Sequence, residues 1–244
     1  LRRHRERDRT FYKTTFGEGG LKVIAARIAP TVNQNPSFCD RLELKTRVRK
    51  KRMVQASLKS ISLEEFLLLP ETKPAGEYIG GEIIQKPMPK VKHSTLQGEL
   101  VPAINAKLKP QKIAWAFPEL RCTFSGRSIV PDIAVFTWNR ISFDQAGDIS
   151  DDFVSVPDWI IEILSPEQSA TLLTKKVLRC LANGCQMGWL IDPDDFSVFI
   201  YQPKQEPLYF DLDAPADILP VPAFAHDFQL SVGTLFNWLK GETS

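Results

Sequence analysis

Two acidic residues stand where solubility does not call for them. Asp132 sits in Ile129-Val130-Pro131-Asp132-Ile133-Ala134-Val135-Phe136, and Glu162 in Trp159-Ile160-Ile161-Glu162-Ile163-Leu164. Both segments are apolar at successive positions, the pattern of a strand covered on both faces. An ionised carboxylate there is costly unless it is paired or holds a metal. Taken singly, each acid reads equally well as a strand-end residue reaching water. Two of them, about 30 positions apart, suggest one shared site. Carboxylates at the ends of neighbouring strands suit Mg²⁺, which takes one or two of them and keeps several waters. Lys175 and Lys176 follow on a helical stretch in which Lys176, Cys180 and Asn183 share a face. A lysine there can reach back to a strand-end carboxylate, steady a developing anion or help orient a nucleophilic water. Alone, it reads as a solvated side chain.

The elements that must position these residues are legible from Met53 onward. Ser62 and Glu65 form a capping box before Leu63, Phe66, Leu67 and Leu69, and Pro70 ends that short helix. Glu77 to Ile84 reads as two strand segments around Gly80-Gly81. His93 to Leu108 carries Leu96, Leu100, Ile104 and Leu108 at four-residue intervals, a helix. Strands are expected over 113–117, 121–124, 128–136 and 159–164. A helix over 170–183 stops at Gly184, strands follow over 188–191 and 196–201, and Ser231 opens a last helix. The order predicts an α/β (α+β) domain with a mixed central sheet flanked by helices.

Composition excludes several classes. At 43% apolar and 25% charged residues the chain is an ordinary folded protein. No run reaches the roughly 18 apolar residues a membrane helix needs. Cys39, Cys122, Cys180 and Cys185 show neither disulfide-scaffold density nor paired metal-ligand spacing, so reduced thiols and a cytoplasmic protein are expected. The net charge of +2 hides a split: residues 1–52 carry +10 and the remainder −8. The basic part reads as a nucleic-acid-binding arm or as a solvated tail without fixed structure. The first Met is Met53, where the charge character changes. That leaves open that residues 1–52 are an upstream extension, with residues 53–244 as the domain.

Five segments in order then resemble the Uma family of restriction-endonuclease-like proteins, within the PD-(D/E)XK nuclease superfamily. They are Glu77-Tyr78-Ile79-Gly80-Gly81-Glu82, then Pro87, Pro89, His93 and Ser94, then Pro131-Asp132, then Glu162 to Pro166, and last Lys176, Gly184 and Trp189 to Pro193. The resemblance covers roughly residues 58–240. It implies a restriction-endonuclease-like core, with Asp132 and Glu162 as metal-binding acids, Glu82 as the upstream acid completing the site, and Lys176 as the catalytic lysine. The superfamily's usual lysine position, two residues after the Glu, is Leu164 here, the lysine having moved to the following helix. An aspartate common before the lysine and a tyrosine common one turn after it are replaced by Leu172-Leu173 and Cys180. His93 is an accessory candidate for phosphate contact or proton relay.

The function expected is Mg²⁺- or Mn²⁺-dependent hydrolysis of DNA. Lys90, Lys92 and Lys175 are expected at the nucleic acid, and Lys86, Lys90, Lys92, Lys107, Lys109 and Lys112 could form a local basic patch. A homodimer is expected, because cutting two strands favours paired sites. The alternative is a nuclease-fold binding module without catalysis, which the net −8 of the domain favours. A glycosidase fits less well, since its acids flank an open aromatic cleft.

Overall fold

A computed structural model of the chain describes residues 61–149, 154–166 and 168–241. The basic segment 1–52, and the boundary placed at Met53, lie outside the described residues. The elements in order are α1 (Leu63–Leu67), β1 (Gly76–Ile79), β2 (Glu82–Gln85), α2 (Val91–Leu108), β3 (Ala114–Pro118), β4 (Cys122–Phe124), β5 (Arg127–Ile129), β6 (Ile133–Thr137), β7 (Trp159–Ile163), α3 (Ala170–Ala182), β8 (Met187–Asp192), β9 (Ser197–Tyr201), β10 (Leu208–Asp211) and α4 (Val232–Asn237). The predicted capping box forms: Ser62 Oγ accepts the Glu65 N–H at 3.1 Å, and Glu65 Oε2 accepts the Ser62 N–H at 2.8 Å.

Two sheets result. The large one has the order β10-β9-β8-β7-β6-β3, antiparallel throughout except for the parallel pair β7 and β8. That pair needs a crossover, which α3 supplies. The small sheet, β2-β1-β5-β4, is antiparallel. Alternation along the central strands divides the core. Ile133, Val135, Trp159, Ile161 and Ile163 pack with Leu96, Leu100 and Ile104 of α2 and with Leu235 and Phe236 of α4. Ala134, Phe136 and Ile160 face the other way, onto Leu173, Val177 and Cys180 of α3 and onto Cys122 and Ile129 of the small sheet. This is the mixed central sheet flanked by helices that the order of elements predicts.

Two expectations are corrected. The apolar run 128–136 is not one strand. Its first part, β5, belongs to the small sheet and its second, β6, to the large one. Pro131, with no N–H for a ladder, lies at the break. The helix expected to open at His93 begins two residues earlier at Val91. Among the described residues no helix is long and apolar enough to cross a membrane. Cys122, Cys180 and Cys185 are buried free thiols.

Candidate active site

The break between β5 and β6 places Asp132 at the start of a central strand with its side chain beside β7. Asp132 Oδ2 accepts the Ile163 N–H at 2.7 Å, and the Asp132 carbonyl accepts Gln97 Nε2 at 2.7 Å. Glu162 lies between the inward-facing Ile161 and Ile163, so its side chain takes the α3 side of the sheet. Lys176 comes down onto it from α3. The helix approaches closely because β8 carries Gly188, where a Cβ would stand 2.3 Å from Val177 Cγ1. From the small sheet, β1 contributes Glu77.

These side chains meet in a buried cluster. Asp132 and Glu162 have no solvent exposure, and Glu77 and Lys176 are 6% and 7% exposed. Lys176 Nζ donates to Glu77 Oε1 at 2.8 Å and lies 2.9 Å from Glu162 Oε1. The second contact is an ion pair off the hydrogen-bonding direction, so both Glu162 oxygens are buried without a hydrogen-bond partner. Glu77 Oε1 also accepts the Val130 N–H at 2.8 Å. Lys86 Nζ donates to Asp132 Oδ1 at 2.7 Å and to the Val130 carbonyl at 2.9 Å. His93 Nε2 lies 3.1 Å from Asp132 Oδ2, and its Nδ1 is buried without a partner.

Three carboxyl groups therefore face two ammonium groups. Burial alone would raise Asp132, but the hydrogen bond with His93 and the charges of Lys86, His93 and Lys176 outweigh it, and its carboxyl is held far below the usual range. Glu162 goes the other way. Burial pushes it up to about 8, with Asp132 and Glu77 adding to the rise and Lys176 and Lys86 opposing it. Burial works against the charge on Lys176, yet Glu162, Glu77 and Asp132 together hold its amine protonated well beyond the ordinary lysine range.

The structure brings Asp132, Glu162, Lys176 and His93 together, and it does not bring Glu82. Glu82 is exposed at the turn end of β2, opposite Ile79. The acid that reaches the cluster from this hairpin is Glu77, one end of the same six-residue segment. Glu82, expected as the upstream acid of the metal site, thus lies outside the buried cluster. Lys86, expected in a surface patch, is the buried partner of Asp132. Lys92 is committed to Asp194 at 2.6 Å, Lys90 is exposed at the N-cap of α2, and Lys175 is exposed on α3. Lys175, Arg179 and Leu172 of α3, with Ile79, Ile84 and Lys86 of the hairpin and its exit, surround a cavity of about 370 Å³. Glu77 and Lys176 also form part of its wall.

The profile of the Uma2 family, described as "Putative restriction endonuclease", matches residues 63–233. The chain belongs to the Uma2 family. It is also similar to a solved structure from Anabaena variabilis ATCC 29413, a "putative nuclease belonging to DUF820". The two share 57% identity over 74% of this chain and 99% of the other, with a TM-score of 0.71. No curated protein matches the chain. The Uma2 match begins after the basic segment 1–52.

Whether these Uma2 residues fit a divalent ion is decided by the donors. Among the described residues no three His, Cys, Asp or Glu side chains stand as a ready-made cage. The carboxylates are instead held by Lys86 and Lys176. Yet the donor set is hard oxygen, as Mg²⁺ and Mn²⁺ prefer. The two oxygens of Glu162 are buried acceptors without a hydrogen bond, and Lys176 meets only Oε1, as an ion pair. Asp132 and Glu162 are therefore the residues that would hold such an ion, both as carboxylates.

Proposed function

We propose that this Uma2 protein is a divalent-metal-dependent nuclease that hydrolyses DNA phosphodiester bonds. Asp132 and Glu162 hold the ion, and Lys176 is the cation at the reacting phosphate. The observation that carries this reading is Glu162, whose two buried oxygens make no hydrogen bond and whose Oε1 lies 2.9 Å from Lys176, a residue in the wall of a cavity also lined by Lys175 and Arg179. When bound, Mg²⁺ or Mn²⁺ supplies an acidified water and neutralises phosphate charge.

The chain's own groups do the rest. Hydrolysis joins a water oxygen to phosphorus and breaks the bond from phosphorus to one sugar oxygen; one proton of the water ends on that sugar oxygen and the other stays on the new phosphomonoester or passes to solvent. Lys176 stays protonated, so it offsets the negative charge that builds on the phosphoryl oxygens and does not serve as a base. His93 and the Ile163 N–H fix the orientation of Asp132, which makes His93 a positioning residue. Glu77 holds Lys176 in place from the small sheet. Homodimeric assembly belongs to this proposal for substrates cut on both strands.

Purified protein with Mg²⁺ or Mn²⁺, given supercoiled plasmid and circular single-stranded DNA in parallel, is the test. Wild type should cut at least one of the two, and Asp132→Asn and Lys176→Met should each lose about 100-fold or more in rate. No cleavage of either DNA by wild type, or equal rates in the variants, would defeat the proposal. A second reading, a binding module of the same fold, is favoured by the ion pairs that Lys86 and Lys176 make with the acids. Calorimetric titration with Mn²⁺ separates the two, since only the nuclease reading requires Asp132-dependent binding.

A further inference from the structure

The approach to the buried acids is narrow. Asp132 and Glu162 have no exposure, and the lysines paired with them, Lys86 and Lys176, together with Glu77 beside Lys176, are the buried part of the wall of the 370 Å³ cavity. A phosphate reaching the acids by this route passes through that space. About 370 Å³ is at the small end of the roughly 300–1,000 Å³ range of small-ligand sites. It has room for one nucleotide, and none for a duplex whose major groove alone is about 12 Å across.

The lining has two chemistries in a useful order. Lys175 and Arg179 are exposed basic groups at the mouth, suited to phosphates. Ile84 from the hairpin and Leu172 from α3 are large apolar side chains that remain 38% and 56% exposed while lining the same cavity from different elements. Apolar side chains on either side of a base are how a nucleotide taken out of its stack is held. The net charge over residues 53–244 is −8, so this part of the chain gives a duplex backbone no overall attraction.

We infer that the nucleotide entering this cavity is unpaired: the substrate class is single-stranded DNA, or an unpaired end or flap. The base lies between Ile84 and Leu172, and the flanking phosphates lie against Lys175 and Arg179. This deepens the nuclease reading and rests on it.

The test uses the whole chain and a fluorescent single strand of about 12 nucleotides. A blunt duplex of the same sequence is the comparison. Anisotropy in EDTA reads binding, and gels with Mn²⁺ read cleavage. The single strand should bind about 10-fold more tightly and be cut about 10-fold faster than the duplex. Leu172→Glu should weaken single-strand binding about 10-fold, without changing duplex binding or the thermal midpoint. Ile84→Ser should act in the same direction. Equal or better binding and cutting of the duplex overturns the inference, as does unchanged single-strand binding in both variants. Absence of Asp132-dependent cleavage on every substrate would instead defeat the nuclease reading, and the binding preference reports independently of it.

Discussion

At the scale of the residue, Glu162 is the least settled group in the protein. Its two oxygens have no hydrogen-bond partner, and burial keeps its proton on up to about pH 8. In the unfolded chain the same group ionises near its ordinary value of 4.5. Between those values the unfolded chain releases a proton that the folded protein keeps, so folding stability falls as pH rises from about 4.5 to about 8. Asp132 and Lys176 do not disturb this window. Asp132, held low, loses its contribution only in acid below its ordinary range, and Lys176, held high, loses its contribution only in strong alkali. Glu162→Gln removes the proton release. Without metal, the variant should gain in thermal midpoint over wild type on going from pH 5 to pH 8, as measured by circular dichroism. A difference that stays constant with pH would mean that Glu162 ionises normally. With Mn²⁺ present the order should reverse, because the wild-type carboxylate then has a partner.

At the scale of the element, the site depends on how closely α3 lies on β8. Any side chain at Gly188 would meet Val177, the neighbour of Lys176. Gly188→Ala should cost about 1–3 kcal/mol in urea denaturation. It should also lower cleavage by more than that loss explains, because Lys176 moves with the helix. Full activity in Gly188→Ala would show that Lys176 does not need this placement. Much of this framework is readable in the string. The capping box at Ser62, the four-residue spacing of Leu96 to Leu108, and the stop at Gly184 are local signals, and each marks an observed helix. Asp132 and Glu162 stand out because acids are rare in strands buried on both faces. The switch of sheets at Pro131 is less visible, since the run 128–136 is apolar on both sides of the break. Glu77 and Glu82 have the same residue type within six positions, and only the hairpin's place in the small sheet, with β1 inside and β2 at the edge, decides between them. Lys86 reads as solvated because lysines usually are. Its partner Asp132 is 46 residues away, beyond the reach of any local pattern.

At the scale of the whole molecule, charge is divided. Residues 1–52 carry +10, while the family match begins at residue 63 and the remainder of the chain carries −8. If the basic segment serves as a phosphate-binding arm, its removal should flatten the salt dependence of DNA binding by about one unit of log–log slope per lost phosphate contact. Cleavage of a short oligonucleotide at saturating concentration should be unaffected. An unchanged slope would assign the arm no part in binding. The account as a whole turns on a divalent ion held between two strands, and a Mn²⁺-soaked crystal tests it most directly through anomalous scattering. It predicts one peak within about 2.5 Å of carboxyl oxygens of both Asp132 and Glu162, with Lys86 drawn off Asp132 Oδ1. A fully soaked crystal with no peak there, and Lys86 still bound to Asp132, would contradict it.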